Sequence, residues 1–160
     1  MSNPYTPPGS PVKDPPSAGK RSAVGAIALG FVVDLVGTMI VSVVTTFVTG
    51  VALAAGGASP AEIAETIQQS SGYHLIGLAG GLACTALGGY VAARFANHSE
   101  YANAFAVGVA SLVFGEAMVL VFGTELPLWL RLLGDLLVIP AAVVGGHLRV
   151  LQKRAASTPG

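Results

Sequence analysis

Four charged residues stand inside stretches that are otherwise apolar: Asp34, Glu116, Arg131 and Asp135. On insertion scales such a residue costs about 2.5–3.5 kcal/mol at the centre of a membrane helix, so it marks a substrate path, a proton relay or a buried ion pair. Arg131 and Asp135 are four residues apart, which puts both on one helix face. At the helical rise per residue, Asp34 lies roughly 17 Å along the first apolar stretch, Glu116 roughly 21 Å along the third, and Asp135 roughly 22 Å from the far end of the fourth. Successive stretches run in opposite directions, so all four residues reach a similar depth. They are expected to form one intramembrane charge cluster in which Arg131 and Asp135 neutralise each other.

Three carboxylates facing one guanidinium leave an excess of negative charge, and burial disfavours the ionised form. At least one of Asp34 and Glu116 is therefore expected to bind a proton. A polar face runs on from Asp34 through Thr38, Ser42, Thr45 and Thr49. The cluster supports two kinds of role. It fixes helix register as a scaffold, or it handles protons in a small carrier with Arg131 and Asp135 as a gate pair.

No other chemistry stands out. The chain has no HExxH, GxSxG, Walker loop or GxGxxG following a strand. His74 falls near one surface, His98 and His147 near the other, too few ligands for a metal. Cys84 is the only cysteine, so no intrachain disulfide forms. Eight Lys and Arg balance eight Asp and Glu, which removes the basic face a nucleic-acid binder needs. No catalytic, cofactor-binding or metal residue is assigned, and the chain is expected not to be an enzyme.

The elements that carry these residues follow from composition. Apolar residues make up 52% of the 160, and charged residues only 10%. A soluble domain carries about 25% charged residues, so the middle of this chain belongs in lipid. A bilayer core needs about 20 apolar residues in helix. Four segments qualify, at about 23–54, 73–96, 102–122 and 127–150. The first is too long for a signal-peptide core of about 7–15 residues. Short links force neighbouring antiparallel helices. The expected fold is all-α, a polytopic membrane protein with four transmembrane helices in an antiparallel bundle. The longer first link holds Ser59-Pro60-Ala61-Glu62, an N-cap, a helix-starting proline and a capping-box glutamate. A short helix at about 60–69 follows, with Ile63 and Ile67 on the face turned to the membrane surface.

The second span repeats small residues every four positions: Gly77, Gly81, Thr85 and Gly89, and beside them Gly80, Cys84, Gly88 and Ala92. Small residues let membrane helices approach closely. This span is expected at the centre of the bundle, with a homodimer face as the competing use. Pro140 is expected to bend the fourth span.

Lys13, Lys20, Arg21, Arg94, Arg149, Lys153 and Arg154 all fall on one side of a four-span chain, and Glu62, Glu65 and Glu125 on the other. The positive-inside rule then puts both termini in the cytoplasm. Tyr73 and Trp129 at one boundary, and Tyr90 and Tyr101 at the other, fit aromatic belts. Residues 1–21 are proline-rich and expected to be an extended cytoplasmic tail whose PxxP spacings serve as a linker. Residues 22–151 form the membrane domain, and residues 152–160 are a second disordered tail.

The run Gly88-Gly89-Tyr90-Val91-Ala92-Ala93-Arg94, followed by Asn103-Ala104 and Gly108, resembles a set of uncharacterised small bacterial four-span integral membrane proteins. These share a Gly-Gly-aromatic-x-Ala-x-Arg end of the second helix. The resemblance covers about 25 of the 160 residues, on the order of one membrane span. It implies a bacterial inner-membrane location and no activity. A fainter likeness is to the small multidrug-resistance exporters, which have four spans and an acid in the first helix, as Asp34 is here. This chain is longer than those and adds Glu116, Arg131 and Asp135. The resulting expectation is a structural or accessory inner-membrane protein, in contact with lipid and with a second copy or another membrane protein. The alternative is a small proton-linked transporter.

Overall fold

The computed structural model describes residues 22–96, 99–123 and 126–157. Five helices follow in order: α1 (Ala23–Ala55), α2 (Pro60–Gln69), α3 (Ser71–Ala96), α4 (Glu100–Phe122) and α5 (Leu128–Ala156). There is no strand among the described residues. Helices α1, α3, α4 and α5 are each long and apolar enough to cross a bilayer. The chain is therefore an all-α, multi-pass membrane protein. The proline-rich segment 1–21, the His98 position, Glu125 and residues 158–160 lie outside the described residues.

The helices alternate in direction, and α3 packs against α1, α4 and α5. Glycine sets the spacing. A Cβ built on Gly30 would lie 2.5 Å from the Gly88 carbonyl oxygen and 2.9 Å from the Ala92 Cβ. Gly89 lies against the backbone of Ala142, and Gly145 against the carbonyl of Ala86. Gly108 meets Ile139, where an added Cβ would come within 2.9 Å of its Cα. These contacts bury Ala92, Ala93, Ala104, Val107 and Ala142. In lipid, close backbone approach of this kind replaces the hydrophobic drive that holds soluble helices together. Gly88 and Gly89 are buried within the chain, Gly88 against α1 and Gly89 against α5.

Most of these close crossings lie towards the basic end, where α3 and α5 finish. Gly80 still meets Val41 of α1, and Cys84 sits 3.0 Å from where a Gly37 Cβ would lie. Gly77 and Gly115 have open space around them. Gly77 thus makes no close approach of the kind its four-residue spacing implied, and borders a cavity instead.

One element runs further than expected. Helix α5 continues to Ala156, so residues 152–156 are helix and not tail. Lys153 and Arg154 in the last turn oppose the negative end of the helix dipole. Tyr90 donates to Gln152 at 2.7 Å, and Lys153 pairs with Glu100 at 2.9 Å. Helix α5 also runs through Pro140 without a break. In α2 the capping box forms as its sequence implied. Glu62 accepts from the Ser59 backbone N–H at 2.7 Å, and the Ser59 hydroxyl accepts from the Glu62 N–H at 3.5 Å. Ile63 faces Gly50 of α1, 3.9 Å from where its Cβ would lie.

Candidate functional site

Asp34 is the first of the intramembrane acids to be placed. The Gly30–Gly88 crossing lies one turn before it and brings its helix close to α3. It is 4% exposed. Thr85 of α3 donates to its Oδ1 at 3.0 Å, and Thr38, one turn along α1, donates to the same oxygen at 3.4 Å. Ser111 of α4 donates to Oδ2. Three hydroxyls from three helices thus converge on both carboxyl oxygens. The Thr85 hydroxyl has a second acceptor in reach, the Gly81 carbonyl at 3.1 Å.

Arg131 and Glu116 form the second centre. The guanidinium binds the carboxylate in a two-pronged pair, Nε to Oε1 at 3.2 Å and Nη2 to Oε2. The pair joins α5 to α4. Both side chains are part-exposed, at 30% and 35%. Asp135 has both Arg131 and Glu116 as electrostatic neighbours. It makes no ion pair among the described residues.

The structure therefore divides the expected cluster. Glu116, Arg131 and Asp135 stand together, but Asp34 is held apart by hydroxyls. The expected neutralisation within α5 is also replaced. Arg131 and Asp135 share a face, but Glu116 lies opposite, across the helix interface. There a carboxylate meets the planar fork of the guanidinium with both oxygens.

Two cavities border these centres. One, of about 360 Å³, is lined by Asp34, Thr38, Thr85, Ser111 and Asp135, with walls that include Leu82 and Phe114. The other, of about 340 Å³, is lined by Glu116, Arg131, Asp135, Tyr73 and His74. Asp135, Leu78, Gly115 and Gly134 border both. Each volume is within the size of a small-molecule pocket, which begins at about 300 Å³. The cavities exist because Gly81, Gly115 and Gly134 present no side chain there. The polar face of α1 divides between them: Asp34 and Thr38 border the first, Ser42 and Thr45 the second.

No protein-family model, curated protein or solved structure matches the chain. The geometry is thus the whole basis for a functional reading.

The remaining candidates lie elsewhere. Thr46 and Tyr73 share a hydrogen bond of 2.6 Å between α1 and α3. His74 Nε2 is 2.9 Å from the Gln68 carbonyl, and His147 Nδ1 is 2.7 Å from the Tyr101 hydroxyl. No group of three metal-binding side chains occurs among the described residues. Ser111 is the site residue that sequence reasoning missed. A lone serine in an apolar helix carries no signal until the depth of its neighbours is known. Thr85 was legible only as a small packing residue, and its second use depends on Asp34 lying opposite.

Proposed function

We propose that the chain is a non-enzymatic protein of the bacterial inner membrane, with both termini in the cytoplasm and a structural or accessory role. One observation carries this reading: the polar contacts inside the membrane tie helices to one another. Asp34 links α1 to α3 and α4, and Arg131 links α5 to α4. Such links define helix register and a single packing arrangement. The basic residues Arg94, Arg149, Lys153 and Arg154 all lie at one end of the bundle, which supports the cytoplasmic placement of that end. Lipid, and a second copy or another membrane protein, are the partners this role implies.

Thermal unfolding of Asp34→Asn, Glu116→Gln and Asp135→Asn in mild detergent tests the reading. Groups that hold helices together lose stability when one partner is removed. A clear loss of Tm in the first two supports the scaffold. Unchanged or higher Tm contradicts it, since groups kept for activity often sit at a cost in stability.

A second reading, a small proton-linked carrier, is favoured by one specific observation. Asp34, Asp135, Glu116 and Arg131 all border the paired cavities. Ionisable groups that face a cavity in a membrane bundle are the ordinary equipment of ion and substrate paths. Proteoliposomes loaded with a pH-sensitive dye test this reading. Proton movement that disappears in Asp135→Asn supports it, and parent vesicles no leakier than empty ones exclude it.

A further inference from the structure

Asp34 is buried, and all its hydrogen-bond partners are neutral: Thr38, Thr85 and Ser111. Arg131 gives its hydrogen bonds to Glu116. Among the described residues, the other ionisable groups facing Asp34 are the Cys84 thiol on α3 and, across the cavity they share, the Asp135 carboxyl on α5. Neither is a cation. Burying a charge costs free energy unless it is paired and hydrogen-bonded. A proton or a bound cation removes that cost.

Hydroxyl orientation does not separate the two, since either needs a hydroxyl to turn, but a proton engages one of these oxygens and a cation can draw on all of them. A protonated carboxyl must donate through one oxygen, and one of the three hydroxyls would then have to turn and accept. A carboxylate accepts from all three. Each hydroxyl oxygen also has two lone pairs and a proton that rotates. Thr85 already has an alternative acceptor for its proton in the Gly81 carbonyl, 3.1 Å away. Turning to it would present the Thr85 oxygen to a cation beside Asp34.

We propose that Asp34, Thr38, Thr85 and Ser111 form a binding site for a small monovalent alkali cation, with Na+ as the fitting ion. The donors are all oxygen, which selects hard cations over Zn2+ or copper. Only one carboxylate is in the shell, which matches a single positive charge. Ca2+ and Mg2+ draw on more oxygen ligands and stronger charge. All four residues border the first of the two cavities. Asp135 on the same cavity adds negative potential along it. The site is compatible with a scaffold, where the ion fastens α1, α3 and α4, and with a carrier, where it moves.

The test is thermal unfolding of the full chain in detergent, in NaCl, KCl or choline chloride at equal ionic strength and fixed pH. A ligand that binds the folded state raises Tm with the logarithm of its concentration. Na+ is expected to raise Tm by about 2–5 °C over choline once its concentration is well above Kd. Ser111→Ala and Thr85→Val are expected to weaken the apparent affinity about tenfold or more, and Asp34→Asn to abolish the shift. If Asp34→Asn does not fold, the salt comparison on the parent and on Ser111→Ala still decides. Equal Tm in NaCl and choline chloride overturns the site. So does a Na+ shift that survives Ser111→Ala and Thr85→Val unchanged. A Tm that follows pH but not Na+ assigns Asp34 to a proton and also overturns it.

Discussion

Gly30 of α1 and Gly88 of α3 meet backbone to backbone. A Cβ on Gly30 would lie 2.5 Å from the Gly88 carbonyl oxygen, and one on Gly88 would lie 2.6 Å from that of Gly30. One turn along α1 is Asp34, and one turn back along α3 is Thr85. The crossing therefore sets the distance across which Thr85 reaches Asp34.

Gly88→Ala is expected to lower stability by about 1–3 kcal/mol, the usual cost of forcing a methyl group into a filled contact. The obstruction is backbone on the facing helix, which cannot rotate away. Gly77→Ala on the same helix meets nothing within 4 Å. It should be neutral or stabilising by up to about 1 kcal/mol, because alanine favours helix. Thermal unfolding of the two variants side by side checks both signs. Equal losses would mean that the stripe acts by something other than close approach.

Arg131 and Glu116 should behave as a unit. Arg131→Met leaves a carboxylate facing Asp135 across an apolar surround. Arg131→Met with Glu116→Gln removes that mismatch. The double variant is expected to lose less stability than the two single losses added. A double-mutant cycle in detergent measures the difference, and strict additivity would show that the pair holds nothing together.

The pair at the basic end should matter less. Lys153 is largely exposed where it meets Glu100, and such surface pairs contribute about 0–1 kcal/mol. Lys153→Met is expected to stay within that range. The same unfolding series reads it, and a larger loss would show that the last turns of α5 depend on this contact.

The start of α2 should respond to acid. Hydrogen bonds from the Ser59 backbone N–H and hydroxyl hold the Glu62 carboxyl below its ordinary value of 4.5. A carboxyl whose folded value is depressed contributes its stability above the ordinary value and loses it as pH falls through the folded one. Protection of the Glu62 and Ile63 amides, taken relative to the intrinsic exchange rate at each pH, is therefore expected to be greatest at neutral pH and to fall below about pH 4.5. Glu62→Ala should exchange faster at neutral pH and lose the extra acid sensitivity. Exchange at Ala64 and beyond, away from the cap, serves as the reference.

Span number, the capping box at Ser59–Glu62 and the segregation of basic residues to one end follow from the sequence alone. Length, hydropathy and capping are local properties, and in lipid a helix must satisfy its own backbone whatever its neighbours do. The central place of α3 was legible for the same reason, since small residues at four-residue spacing have few other uses in a membrane. Partner choice among the charges was not legible. Depth along a helix placed Asp34, Glu116, Arg131 and Asp135 at one level, but rotation about each helix axis decides which side chains face. That rotation is set by contacts such as Gly145 against Ala86 and Gly89 against Ala142, between residues far apart in the chain. Only the tertiary structure therefore gave Arg131 to Glu116, brought Ser111 to Asp34, and opened the cavities where the glycine stripe stops packing.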